Sequence, residues 1–344
     1  MEQERRSIRI GLTAIACAVF LRLVSVGAFD PVVKLLTRQE VASFLLYMET
    51  GRVVRTASAS ELLALPETTA ATEPPQIQPQ PQPVENANPT FSAQDAQLVD
   101  ISNYNDYAVD VPAMLQTPLS WDLTQDSPTV LILHTHATES YTQTPENTYT
   151  ESSGYRTLDE QHNMIRIGAR IAELLEAGGI RVIHDRTLHD HPSYNDAYSN
   201  ARDTIRTYLE QYPSIRMVLD IHRDAADMSS GVQLSTQATV NGQASAQLMM
   251  VVGTNAGGLN HPAWPENMAL AVKLHAHLEK AFPGICRPIS FRSQRFNQDL
   301  STGGMLIEVG AAGNTLEEAL TAADVLAQGL LELAHGTATS DSTN

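Results

Sequence analysis

The sequence predicts an α/β fold: a mostly parallel sheet of five or six strands with helices on both faces. Three observations carry that prediction. Short β-rich apolar runs alternate with stretches of helical spacing, the order expected of parallel strands joined by right-handed crossovers. The apolar runs stop abruptly in polar side chains. Glycine or proline punctuates the helical stretches where a helix should begin or end.

The first clear strand is 130–133 (Val-Leu-Ile-Leu), which runs into His134, His136 and Glu139. Residues 142–161 form a polar connection too long for an ordinary link inside a compact domain, of the kind that is functional or mobile. In the helix that follows, Ile165, Gly168, Ile171, Ala172 and Leu175 share one face, and Gly178 and Gly179 stop it. Residues 180–184 read as the next strand. Helical spacing returns over 201–212 with Ile205 and Leu209, and Pro213 ends it. The run 217–221 (Met-Val-Leu-Asp-Ile) is a strand that ends in His222, Arg223 and Asp224, and 247–252 is another. Pro265 opens a helix carrying Met268, Val272, His275 and Leu278, because proline is well suited to a first turn. The last strand is 305–309, with Gly303 and Gly304 before it and Gly310 after. Asn314, with Glu317 three residues on, is expected to cap the final helix.

The folded domain is expected over residues 97–337, followed by a disordered tail, 338–344. The chain has 344 residues, 22 basic and 39 acidic, and a formal charge of −17. An acidic surface repels phosphate backbones, which disfavours nucleic-acid binding. The two cysteines, Cys17 and Cys286, fall in regions that should not meet, so no disulfide is expected.

The N-terminal third is built differently. Residues 10–29 form an apolar run preceded by Arg5, Arg6 and Arg9. That length is enough to cross a bilayer, and flanking arginines favour a cytoplasmic N-terminus. Residues 1–30 are therefore expected to be a cytoplasmic stub and uncleaved single-pass anchor, with a cleaved signal peptide as the competing reading. Either way the rest of the chain lies outside the cytoplasm, at the cell membrane. Residues 31–50 read as an amphipathic juxtamembrane helix. Residues 51–96 contain alternating Pro and Gln and should form an extended, disordered linker.

Polar groups gather at strand ends. One strand delivers His134, His136 and Glu139, another His222, and the last carries Glu308 within an otherwise apolar run. If all these strands run parallel, their carboxyl ends share one edge and the groups can converge. Two histidines and a carboxylate with an open fourth position suit a catalytic zinc ion, and a further carboxylate can move protons. A buried Glu308 needs a partner, a metal or a catalytic role. Asp220 is placed to orient a histidine, and Arg223 either grips a substrate carboxylate or neutralises Asp220 or Asp224. His184, His189 and His191 form a second candidate metal cluster, and His162 is a spare ligand. His261, His275 and His277 read as surface or packing residues, and 253–258 as a loop shaping the rim of the site. There is no nucleophile elbow, P-loop or dinucleotide fingerprint.

Taken together, His134-Thr-His-Ala-Thr-Glu-Ser-Tyr141, Val182-Ile-His-Asp-Arg186 with His189-Asp190, Asp220-Ile-His-Arg-Asp-Ala225, Asn297-Gln-Asp-Leu300 and Ile307-Glu-Val-Gly310 resemble the stage II sporulation protein P family. The resemblance spans about residues 102–335, and the anchor and tether are similar too. It implies a phosphorylase/hydrolase-like, zinc amidase-like α/β sheet. It also implies a cell-wall hydrolase, an N-acetylmuramoyl-L-alanine amidase with endopeptidase activity in some members, that thins septal peptidoglycan during forespore engulfment. Peptidoglycan would be the substrate, and sporulation proteins D and M the partners. Carried over, zinc would be held by His136, Glu139 and His222, with Glu308 as general base. His136 is preferred to His134 for its His-x-x-Glu spacing, and an alternative alignment puts a ligand near Glu160 or His162. Two other readings stand beside this one: a stem-peptide carboxypeptidase or endopeptidase using Arg223, and a tethered wall-binding scaffold without catalysis.

Overall fold

The computed structural model describes residues 90–119, 122–225 and 233–336. The expected anchor, the juxtamembrane helix, the tail and all of the linker before residue 90 lie outside them. Among the described residues no helix is long and apolar enough to cross a membrane. The ordered fold begins earlier than residue 97. Phe91 packs against the core, and buried Asp95 accepts from Ser92 N at 2.6 Å and lies 3.4 Å from Lys280.

Among the described residues nine strands form two sheets: β1 (Ile101–Asn103), β2 (Val130–Leu133), β3 (Val182–His184), β4 (Met217–Asp224), β5 (Gln237–Val240), β6 (Gln243–Ala246), β7 (Leu248–Val252), β8 (Ile289–Phe291) and β9 (Gly303–Ala311). Seven make the main sheet in the order β1-β8-β7-β9-β4-β2-β3. β5 and β6 form a separate hairpin across Asn241 and Gly242, whose φ values of 50° and 80° are those of a type I′ turn.

The sheet is mostly parallel, with one reversal. β9, β4, β2 and β3 run one way and β7, β8 and β1 the other, because β7 pairs antiparallel with β9. The expectation that all strand ends share one edge is therefore corrected. Met249 of β7 lies opposite Glu308. Gly253, four residues further along β7, is thus ~13 Å along the strand from that level. Residues 253–258 open on the far rim and do not shape the site.

The helices are α1 (Val111–Gln116), α2 (Met164–Ala177), α3 (Ala197–Gln211), α4 (Trp264–Ala281) and α5 (Leu316–His335). Strand alternation sorts the sheet into two faces. Val130 and Ile132 of β2, Met217, Leu219 and Ile221 of β4, and Met305, Ile307 and Val309 of β9 join one core with α2, α4 and α5. Leu131, Leu133 and Val218 face the other way, against Ala201 and Ile205 of α3. Helices cover both faces, three long ones on one side and α3 on the other. The cap of α5 is Thr315, not Asn314: its side chain accepts from Glu318 N, and Glu318 returns a bond to the Thr315 backbone. Asn314 instead accepts from Ala311 N at 3.0 Å and Thr236 N at 3.1 Å, tying the exit of β9 to the start of the hairpin.

Candidate active site

The site forms where β2, β4 and β9 end side by side. His222 and Glu308 are direct register partners on neighbouring parallel strands, so their side chains leave the same face, the one opposite the three-helix layer. β2 gives way after Leu133 to a turn that carries His136 and Glu139 to the same place. His222 Nδ1 lies 3.9 Å from Glu139 Oε2. The His136 and His222 rings meet edge to face at 5.3 Å. Four candidates named from the sequence thus come together: His136, Glu139, His222 and Glu308.

His134 does not join them. Alternation puts it on the face of Ile132, beneath α2, where it is wholly buried. Its Nδ1 lies 3.0 Å from Ile221 O and its Nε2 3.0 Å from His184 Nε2. Gly168 makes this possible, since a Cβ there would stand 2.4 Å from His134 Nε2. The second histidine cluster is likewise no metal centre. His184 is spent on His134, while His189 meets His134 O at 2.9 Å and Thr204 Oγ1 at 3.0 Å, and His191 is exposed. His162 pairs with Asp159 at 2.9 Å, and Glu160 forms an ion pair with Arg186. His261, His275 and His277 are all buried, so none is a surface residue. Cys286 is a free thiol.

Arg223 is also corrected. Its side chain is 4% exposed. Nε donates to Ser140 O and Nη2 to Tyr155 O, both at 3.0 Å. It clasps the loop beside the site and has no open face for a substrate carboxylate.

The electrostatics follow from burial and pairing. Asp220, one pleat below His222, sits 2.9 Å from His222 Nε2 and accepts from Thr135 N at 2.8 Å and Thr135 Oγ1 at 2.5 Å. Burial opposes its ionisation, but His222 and Thr135 outweigh it and hold the carboxyl at about 2. His222 is pushed up to about 9, the charge of Asp220 overcoming burial. Burial drags His136 down to about 4 and drives Glu308 up to about 8. For Glu139, burial is outweighed by Arg223 first, then His136, His222 and Arg156, and its carboxyl stays below the ordinary value.

Sequence reasoning missed two side chains here. Arg156, in the long 142–161 connection, reaches back to Glu139 Oε1 at 3.4 Å. Tyr194 lies just before α3, with its ring stacked on His136 at 4.4 Å. Neither carries a local signal, because both are brought in by loops distant in the chain.

The donor set suits a zinc ion: two imidazoles and a carboxylate, with a second carboxylate alongside. Buried polar atoms without a hydrogen-bond partner include His136 Nδ1, Glu139 Oε2, His222 Nε2 and Glu308 Oε2. The His222 atom is near Asp220 but off the hydrogen-bond line. Such orphans are costly unless something else engages them. Among the described residues no group of three or more His, Cys, Asp or Glu side chains is gathered closely enough to hold a metal ion as it stands.

A fold and site of this kind define an α/β protein with buried imidazoles and carboxylates gathered at the ends of three parallel strands. The stage II sporulation protein P family model matches residues 39–331, and the chain belongs to that family. It is 28% identical over 221 residues to stage II sporulation protein P of Bacillus subtilis (strain 168), covering 61% of this chain and 52% of that protein. The chain thus matches about half the length of its curated relative. Similar solved structures include the N-acetylmuramoyl-L-alanine amidase AmiC2 of Nostoc punctiforme (15% identity, TM-score 0.36, 59% of this chain and 96% of that one). Another is the amidase Ami1 of Mycobacterium smegmatis (14%, TM-score 0.38, 63% and 100%). A third is the CwlD amidase of Clostridioides difficile in complex with the GerS lipoprotein (15%, TM-score 0.34, 60% and 98%).

Proposed function

We propose that the chain is a zinc-dependent N-acetylmuramoyl-L-alanine amidase that cuts the amide between the lactyl group of the peptidoglycan glycan and its stem peptide. The observation that carries this reading is the meeting of His136, Glu139, His222 and Glu308 at the ends of β2, β4 and β9, with His136 Nδ1, Glu139 Oε2 and Glu308 Oε2 buried and without a hydrogen-bond partner. His136, Glu139 and His222 would hold the metal. When bound, zinc supplies a Lewis acid that polarises the amide carbonyl and makes water a better nucleophile. Glu308 accepts the proton of the attacking water and hands it to the departing amine. Asp220 holds the His222 ring, and Arg223 and Arg156 hold Glu139.

Family membership supports a role in sporulation, with peptidoglycan as substrate and sporulation proteins D and M as partners. The apolar run 10–29 supports a single-pass position at the cell membrane with the catalytic domain outside the cytoplasm. Endopeptidase action at the same centre belongs to the same proposal.

The test is product identification by mass spectrometry on purified peptidoglycan, coupled to metal analysis. The parent should bind one zinc and release intact stem peptides. Glu308→Gln should keep the metal and lose release by at least ~10²-fold. Release at the parent rate by Glu308→Gln would refute the assignment, as would products opened within the peptide alone.

A further inference from the structure

The two imidazoles of the site are held by different devices. His222 has a carboxylate, Asp220, 2.9 Å from its Nε2, the usual means of fixing a ligating ring. His136 has no such partner, and its Nδ1 is buried and without a hydrogen bond. Its ring plane is set by stacking. The Tyr194 ring lies 4.4 Å away and within 13° of parallel, and Tyr198 (5.6 Å, 89°) and His222 (5.3 Å, 89°) stand edge-on to it.

The guanidinium carbon of Arg156 lies 4.3 Å from the Tyr194 ring centre. Imidazole and guanidinium both lie against the Tyr194 ring. The same Arg156 reaches Glu139 Oε1 at 3.4 Å, which leaves Glu139 Oε2 turned toward His222. A single brace therefore touches His136 and Glu139 together. Core packing does not account for Tyr194, which is 42% exposed. A ring so exposed gains little from burial, yet both an imidazole and a guanidinium rest against it.

We propose that Tyr194 is a positioning residue: its flat face, itself engaged by Arg156, fixes the plane of the His136 imidazole, whose buried, unpartnered Nδ1 would be the atom left for a metal. The proposal rests on the metal reading above and names the device that orients the one imidazole of the set without a carboxylate partner. The stacking face does this work, and the hydroxyl does not. A misplaced ligand ring costs metal affinity by about the amount lost when an orienting partner is removed, ~10- to 100-fold.

Zinc affinity of the full chain, measured by competition with a chromogenic chelator, tests this without reference to turnover. Tyr194→Leu keeps apolar bulk and removes the flat face, and it should bind zinc about tenfold or more weakly. Tyr194→Phe keeps the face and should bind within about twofold of the parent. The metal-free melting temperature of both variants should match the parent, since an exposed side chain is being changed. Parent-like zinc affinity in Tyr194→Leu overturns the proposal. So does equal weakening in both variants, which would put the effect on the hydroxyl, and so does a parent that binds no zinc. Zinc binding by the parent without release of stem peptides would sink the amidase reading and leave this inference standing.

Discussion

Asp220 and His222 lie two residues apart on β4, with Asp220 Oδ1 2.9 Å from His222 Nε2. Their side chains share a face because strand side chains alternate. The contact turns Nδ1 toward Glu139, and Thr135 fixes the carboxylate from the turn after β2.

Asp220→Asn should therefore loosen the His222 ring while keeping its shape and volume. Zinc affinity is expected to fall ~10- to 100-fold, with release of stem peptides restored in part by excess zinc. Equilibrium dialysis followed by the peptide-release assay reads both effects, and an unchanged affinity would show that the pair is structural only.

Arg223 borders the site and should respond to substitution through stability. Arg223 holds Ser140 O and Tyr155 O and stands 3.6 Å from Glu139. Removing a buried cation of this kind typically costs ~3–5 kcal/mol. Arg223→Met should therefore unfold at markedly lower denaturant concentration. A variant of parent stability with a raised KM would instead restore the role of substrate grip.

Gly168 is the point where α2 touches the His134–His184 pair. A methyl group there would meet His134 Nε2 at 2.4 Å and His184 Nε2 at 2.7 Å, and both rings are already bonded. Gly168→Ala should cost ~1–3 kcal/mol through overpacking, despite the better helix propensity of alanine. Urea denaturation checks this, and a stabilised variant would mean that α2 can shift away freely.

The same pair sets an acid limit. Burial lowers His134 to about 3 and His184 to about 4, both below the ordinary value of 6.5. The unfolded chain then binds more protons than the folded one below pH 6.5. Stability is complete above that pH and is lost as pH falls from 6.5 toward 4, by at most ~1.4 kcal/mol per pH unit for each histidine. In metal-free protein, His184→Gln should lose less stability than the parent between pH 6.5 and 4. Parallel pH–stability curves would count against a buried neutral pair.

Much of the site was legible because its residues sit at the exits of strands whose apolar runs are plain: Val130 to Leu133, Met217 to Ile221 and Met305 to Val309. The choice between His134 and His136 was less so. It depends on which face of the sheet α2 covers, and that is set by residues far from either histidine. The direction of β7 was hidden for a similar reason, since a run such as Leu-Met-Met-Val-Val packs equally well with either polarity. β1 has only three residues, half-exposed on an edge, and so lacks any pattern. The β5–β6 hairpin was missed, although Asn241-Gly242 is the turn such a hairpin asks for. Arg223 misled because a charged residue at a strand exit looks solvent-facing until the loop folded over it is known.

The seam between β7 and β9 has a practical meaning. Because three strands turn about there, the molecule presents two rims, and the segment around exposed Leu259 belongs to the one away from the imidazoles. A dye or an affinity handle attached at that segment would report on the protein, or immobilise it, while the chemical end stays uncovered.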